Sequence, residues 1–262
     1  TLLFHLFSQF KVPAFLGSSF AFLGGYATIA PRLADGAPNT ELLPYACIGV
    51  AAAGCLYLVL AVIFQRIGTK KMLKYFPPIV TGPIIISIGL GLAPTAISSC
   101  TTNWWIAIFA LAVVINFNIF SKTVLRYFPI LLGIVLTYTL CLILGNIAGL
   151  EGFAIDFSGV KNAAWIGFPV KWSQTVFGGV RDWSLALTSI IAIMPIALAT
   201  MMEHIGDISA ISSTGGKNFI ENPGLNRTLR GDGIATILAS LFGGPANTTY
   251  GENTGVLAIT KV

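Results

Sequence analysis

Three carboxylates stand out by their surroundings. Glu203 and Asp207 fall in "LATMMEHIGDISAI", four residues apart, so a helix sets both on one face about one turn apart. Glu252 falls in "NTTYGEN", where a polar, extended run gives way to a helical one, so backbone N–H groups and a positive dipole end gather beside it. A carboxylate so placed accepts hydrogen bonds and can exchange a proton, while the N–H groups of a helix start donate to carbonyl oxygens or anions. Plainer roles exist for each. No Lys or Arg lies within nine residues of Glu203, so an ion pair there would be long-range; Glu252, with Asn253, could simply cap its helix. The other acids, Asp35, Glu41, Glu151, Asp156, Asp182, Glu221 and Asp232, are read as solvated residues of loops or span ends.

The elements that must position these groups are apolar. The chain is 55% hydrophobic and 10% charged with a mean hydropathy of +0.82, where soluble domains carry roughly 25% charged residues. Stretches near the roughly 20 residues that cross a bilayer recur at 43–64, 78–98, 104–120, 130–150 and 185–202, and at 233–241 with its flanks. The expected fold is therefore an all-α polytopic membrane bundle. From Trp183 to Thr214 a continuous helix would rise about 48 Å, beyond the roughly 30 Å hydrocarbon core. Glu203 and Asp207 thus lie inside the bundle or at its cytoplasmic half, where an ionisable group costs roughly 2.5 to 3.5 kcal/mol and marks a functional site by default. Pro195 is expected to kink the helix that carries them.

The net charge of +5 is scattered among loops, which excludes a nucleic-acid surface and reports topology instead. Lys and Arg gather at 66–74, 122–126 and 217–230, in alternate loops, and these are assigned to the cytoplasm. Cys47, Cys55, Cys100 and Cys141 lack metal-type spacing and are read as packing residues. The chain begins at Thr1 and stops at Val262 within an apolar stretch, and is expected to be a piece of a longer protein.

Two segments break the helical pattern. "KVPAFLGSSFAFLGGYATIAP", residues 11–31, is punctuated by five Gly and Ser residues, and Gly243, Gly244 and Pro245 precede the polar "NTTY". Glycines alone are accounted for by close helix packing, but a polar run at membrane depth is tolerated only where protein or a watery cavity satisfies its backbone. The two breaks lie seven spans apart. A repeat of odd length re-enters the membrane inverted, and inverted repeats with interrupted helices are a transporter pattern. Burial disfavours the charged form of a carboxylate, so a proton could be exchanged near neutral pH. A planar ring bearing amide N–H donors and carbonyl acceptors satisfies both the acids and the helix starts, and nucleobases have that pattern. Phe20 in "GSSFAF" and Tyr250 in "NTTYGEN" put an aromatic ring at each break.

Glu252-Asn253-x-Gly255-x-x-x-x-Thr260-Lys261 fits the signature [Gln/Glu/Pro]-Asn-x-Gly-x-x-x-x-Thr-[Arg/Lys/Gly] of the nucleobase–ascorbate transporters. With "GSSFAF" near the start and "EHIGD" between, the chain resembles the bacterial uracil-type members of that family. The resemblance implies a fourteen-span fold of two inverted seven-span repeats divided into core and gate, with short extended segments in two interrupted spans. Residues 1–65 would then be core (the end of span 2, broken span 3 and span 4), 66–150 gate (spans 5 to 7), 151–182 an extracellular or periplasmic loop and 183–262 core again (spans 8 to 10). Spans 1 and 11 to 14 would be absent, and the fragment alone is not expected to transport.

The resemblance also implies roles. Glu203 and Glu252 would hold a pyrimidine ring, and Phe20 and Tyr250 would supply backbone amides and ring contacts, with Gly251 in the same substrate-binding set. Glu203 and Asp207 would couple a proton, while Asn253, Gly255, Thr260 and Lys261 complete the signature. The implied activity is proton-coupled uptake of uracil across the cytoplasmic membrane by alternating access. A xanthine or purine symporter is the near alternative, and an anion carrier of this architecture a further one, disfavoured because buried carboxylates repel anions. Partners are the nucleobase and the bilayer; the oligomeric state stays open, a homodimer included. A membrane enzyme using Glu203 and Asp207 finds little support, because His5 and His204 are the sole imidazoles. No catalytic residue, metal or cofactor is expected, the coupling ion being H+.

Overall fold

The computed structural model describes the chain apart from Asp35, Phe76, Pro77, Thr123, Phe168, Pro169, Glu252, Lys261 and Val262, and only the backbone of Pro78, Thr81, Ile85, Tyr127, Gly255, Ile259 and Thr260. Two compact units emerge: residues 1–90 with 168–262, and residues 91–167.

The first unit holds the candidate site. Its helices are α1 (Leu2–Phe7), α2 (Leu23–Ile29), α3 (Leu43–Ile67) and the short α4 (Thr69–Met72), followed by the start of α5 (Pro78–Cys100). Strand β1 (Leu16–Ser18) and a 3-10 turn, Phe20–Phe22, lie between α1 and α2. The second unit continues α5 and contains α6 (Trp104–Ile119), α7 (Pro129–Cys141), extended by a π-turn over Leu142–Ile147, and the short α8 (Ser158–Lys161). The first unit resumes with the short α9 (Val176–Gly179), α10 (Trp183–Ile193), α11 (Ile196–Gly215), α12 (Leu225–Leu241), β2 (Asn247–Thr249) and α13 (Asn253–Thr260).

Helix starts follow local chemistry. The Asn103 side chain accepts from the amides of Trp105 and Ile106 at 3.0 and 3.3 Å to open α6. Asp182 does the same for Ser184 and Leu185 at 2.8 and 3.3 Å to open α10, satisfying amides that have no partner in the helix. Pro195 separates α10 from α11 with a bend of 42°, as expected of a proline that has no N–H to give to the preceding turn. Gly216 ends α11 at φ 62°, a left-handed cap.

By length and composition three helical stretches among the described residues can cross a membrane: Leu43–Ile67, Gly82–Cys100 and Pro129–Ile147, or four if the bent α10–α11 pair is one span. The multi-pass character stands. Two expected spans are shorter or more polar than a simple crossing: α6 has 16 residues, and α12 begins at Leu225 rather than Gly233, taking Arg227, Arg230 and Asp232 into its first half.

Packing in the first unit centres on α3, which lies against α12 and α10, while α1 covers the other flank of α12. Gly54 of α3 and Gly233 of α12 make the close approach. A Cβ on either would stand 2.9 Å from the other's carbonyl oxygen, so small residues let the two backbones meet. The core is otherwise Tyr57, Phe64, Ile193, Ile208, Leu225 and Leu229 with smaller neighbours. In the second unit α6 packs on α7, with Gly133 seated against Val114.

Candidate crossing site

The two broken segments pair with each other. Strands β1 and β2 run antiparallel with Leu16 opposite Thr249, Gly17 opposite Thr248 and Ser18 opposite Asn247. Ser19 N donates to Ala246 O at 2.8 Å, and Tyr250 N to Phe15 O at 3.1 Å, extending the ladder at both ends. Backbone groups that a broken helix leaves open are thus satisfied by the other broken helix. The short extended segments expected from the Gly and Ser punctuation are present.

Tyr250 is tied to this crossing. Its hydroxyl donates to Ser18 O at 2.9 Å and lies 3.2 Å from Ser18 Oγ. Its ring covers Gly17, where a Cβ would fall 2.4 Å from Tyr250 Cζ, and meets Phe15 edge-on with centroids 5.9 Å apart. A Cβ at 17 would displace that ring. Because Tyr250 N already serves Phe15, the amide expected to meet a ligand from this residue is engaged within the ladder. Phe20 is 58% exposed at the start of its 3-10 turn, whereas Phe22 is buried. A cavity of about 380 Å³ opens beside Phe20, lined by Ser19, Tyr26, Cys47, Gly244 and Pro245 among others.

Helix α11 runs past both breaks, touching the 3-10 turn, β2 and α13. It brings Asp207 to the crossing: Thr249 Oγ1 donates to Asp207 Oδ2 at 2.8 Å, and a Cβ on Gly251 would stand 2.9 Å from Asp207 Oδ1. Glu203 lies one turn earlier and, like Asp207, is half-buried. Four predicted positions, Glu203, Asp207, Tyr250 and Gly251, therefore gather around α11 and β2. Asn253 opens α13 with its Nδ2 buried and unpartnered among the described residues. Gly255 and Thr260 lie on α13 by their backbone. Glu252 and Lys261 lie outside the described residues.

Asp232 corrects the sequence reading. It is a buried residue of α12, 0% exposed, and its Oδ2 shares a hydrogen bond of 2.8 Å with Nδ1 of His204, also 0% exposed. Leu225, Thr228, Leu229, Asp232 and Thr236 form one helical face and all five are buried, but with two Thr and an Asp that face is no apolar stripe to read in the sequence. The neighbouring Arg227 and Arg230 suggested a loop, but Arg230 reaches from α12 to Gln65 at the end of α3. Among the described residues no group of three or more His, Cys, Asp and Glu side chains could hold a metal ion.

Comparison with known proteins then fixes the family. A family profile described as "Permease family" matches residues 1–262. The chain belongs to the nucleobase–ascorbate transporter family. It is 38% identical to the uracil permease of Bacillus subtilis (strain 168) over 277 residues, covering 100% of this chain and 59% of that protein. It is 34% identical over 265 residues to the putative pyrimidine permease RutG of Escherichia coli (strain K12), covering 100% of this chain and 57% of that protein. The uracil permease of the same organism matches at 31% over 273 residues, again across 100% of the chain and 58% of the relative. The chain spans less than two thirds of the length of each of these relatives. They are permeases by name, not enzymes.

Proposed function

We propose that the protein containing this chain takes up uracil with a proton across the cytoplasmic membrane, by rocking a core (residues 1–65 and 183–262) against a gate (66–150). The observation that carries the reading is the setting of the acidic face of α11 against the paired breaks, with Asp207 held by Thr249 at 2.8 Å. In this reading Glu203 and Glu252 accept the ring N–H groups of uracil, and the turn at Phe20 and the Tyr250–Gly251 corner meet its carbonyls and flat face. Glu203 and Asp207 carry the coupled proton. Because Asp207 is bonded to β2 itself, a change in its protonation is felt at the crossing. The names of the relatives favour uracil over xanthine. The complete protein would have the fourteen-span inverted-repeat plan, with a homodimer among its assemblies.

The test is radiolabelled uracil uptake by cells expressing the full-length protein, wild type beside Glu203→Gln, with and without a protonophore. Saturable uptake that falls at least tenfold in both perturbed cases is expected. Uptake of xanthine but not uracil would change the substrate, and uptake indifferent to the protonophore would remove the proton.

A further inference from the structure

The buried pair behind the site has no place in the mechanism above. On α11 the fully buried face runs through Ala197, Met201, His204, Ile208 and Ile211, spaced three and four residues apart. Glu203 and Asp207 lie four residues apart on the adjoining half-buried face, from which Asp207 reaches β2. His204 is the sole ionisable group on the buried face, and it meets Asp232 of α12 at 2.8 Å. The rings of Phe4 and Tyr57 close around the imidazole edge-on, with centroids 6.3 and 6.4 Å away. His204 Nε2 and Asp232 Oδ1 have no hydrogen-bond partner among the described residues. A pair of polar groups in such surroundings is poor value as stabilisation, because removing both from water costs about as much as the contact returns. Its best-attested use is to specify register between elements.

That use fits the geometry. Helical residues are spaced by about 100°, so fixing the azimuth of His204 fixes that of Glu203 one residue before it and Asp207 three after. Apolar contacts are non-directional and constrain the rotation of α11 less sharply than a 2.8 Å hydrogen bond to a residue on another helix does. We propose that His204 and Asp232 are positioning residues: their bond sets the rotation of α11 so that the carboxylates at 203 and 207 face the crossing of the two broken segments. The inference rests on the reading of Glu203 as a substrate ligand.

Two readouts on the full-length protein test it. The first is uracil affinity of the purified carrier with His204→Asn, which keeps an amide N–H at the distance of Nδ1, and with His204→Leu, which keeps only volume. His204→Asn should bind within about threefold of wild type, while His204→Leu should lose about tenfold or more, the difference one hydrogen bond makes. Equal affinities in the two variants would overturn the proposal. The second readout needs no substrate: Glu203→Cys, in a background whose native cysteines are serine, is labelled with a maleimide. Adding Asp232→Leu or His204→Leu, either of which removes the bond, should change the labelling rate severalfold, and an unchanged rate in a folded variant would overturn the proposal. Should His204→Leu not fold, the Asp232→Leu labelling comparison decides alone. Failure of the wild type to bind uracil would remove the substrate assignment and leave the labelling result to judge the positioning.

Discussion

At the scale of single residues, the crossing depends on contacts that leave little room for exchange. The Asp207 carboxylate accepts from the Thr249 hydroxyl on Oδ2, and its Oδ1 fills the space that a Cβ on Gly251 would need. Thr249→Val keeps the shape but withdraws the donor from a 2%-exposed position. The change should cost about 1 kcal/mol, the usual contribution of one hydrogen bond. It should show as a lowered melting midpoint of the purified full-length protein and reduced uracil uptake. A variant with wild-type melting and uptake would show that Asp207 is held by other groups. Gly17 was visible in the sequence as one of several glycines; only the Tyr250 ring lying over it shows why no Cβ fits.

At the scale of elements, the decisive packing is α3 against α12. The close approach of Gly54 and Gly233 sets the separation of the two helices, and a Cβ at Gly233 would also stand 2.7 Å from Tyr57 Cβ. Gly233→Ala is therefore overpacking at a backbone contact, expected to cost about 1 to 3 kcal/mol and to lower the melting midpoint in detergent. Gly24, beside which a Cβ would meet nothing within 4 Å, provides the control: Gly24→Ala in α2 should be neutral or slightly stabilising, by helix propensity. Equal losses at both positions would show that the α3–α12 contact is no special constraint. The bend at Pro195 belongs to this scale as well. It separates the apolar α10 from the acidic half of the pair, so the acids begin a new helix direction beside β2.

At the scale of the molecule, exposed side-chain contacts in the first unit join segments distant in sequence. Lys70 pairs with Glu221 at 3.6 Å, both side chains being well exposed, and Lys11 donates to Asn222 Oδ1 at 2.8 Å. An exposed pair of this kind adds little stability; its information is topological. The contact joins α4 to the turn before α12, so the basic segments at 66–74 and 217–230 lie on one side of the membrane. Lys70→Cys with Glu221→Cys in the full-length protein should join through a short bismaleimide. In right-side-out vesicles the pair should react with permeant reagents and resist impermeant ones. Reaction with impermeant reagents would reverse the orientation.

Composition and motif were enough to determine a polytopic membrane chain, two interrupted segments and the family signature, because burial in lipid constrains residue type over long stretches and a broken helix needs Gly, Ser and polar punctuation. The kink at Pro195 was legible for the same local reason. What the tertiary structure alone decided was pairing: that the two breaks, more than two hundred residues apart, form one antiparallel ladder, and that Thr249 reaches Asp207. Asp232 shows the limit most clearly. Its neighbours Arg227 and Arg230 read as a loop, yet α12 starts before them and turns Asp232 inward to His204. A charge near a span end can be solvated or paired, and which of the two occurs is set by the helix that packs against it.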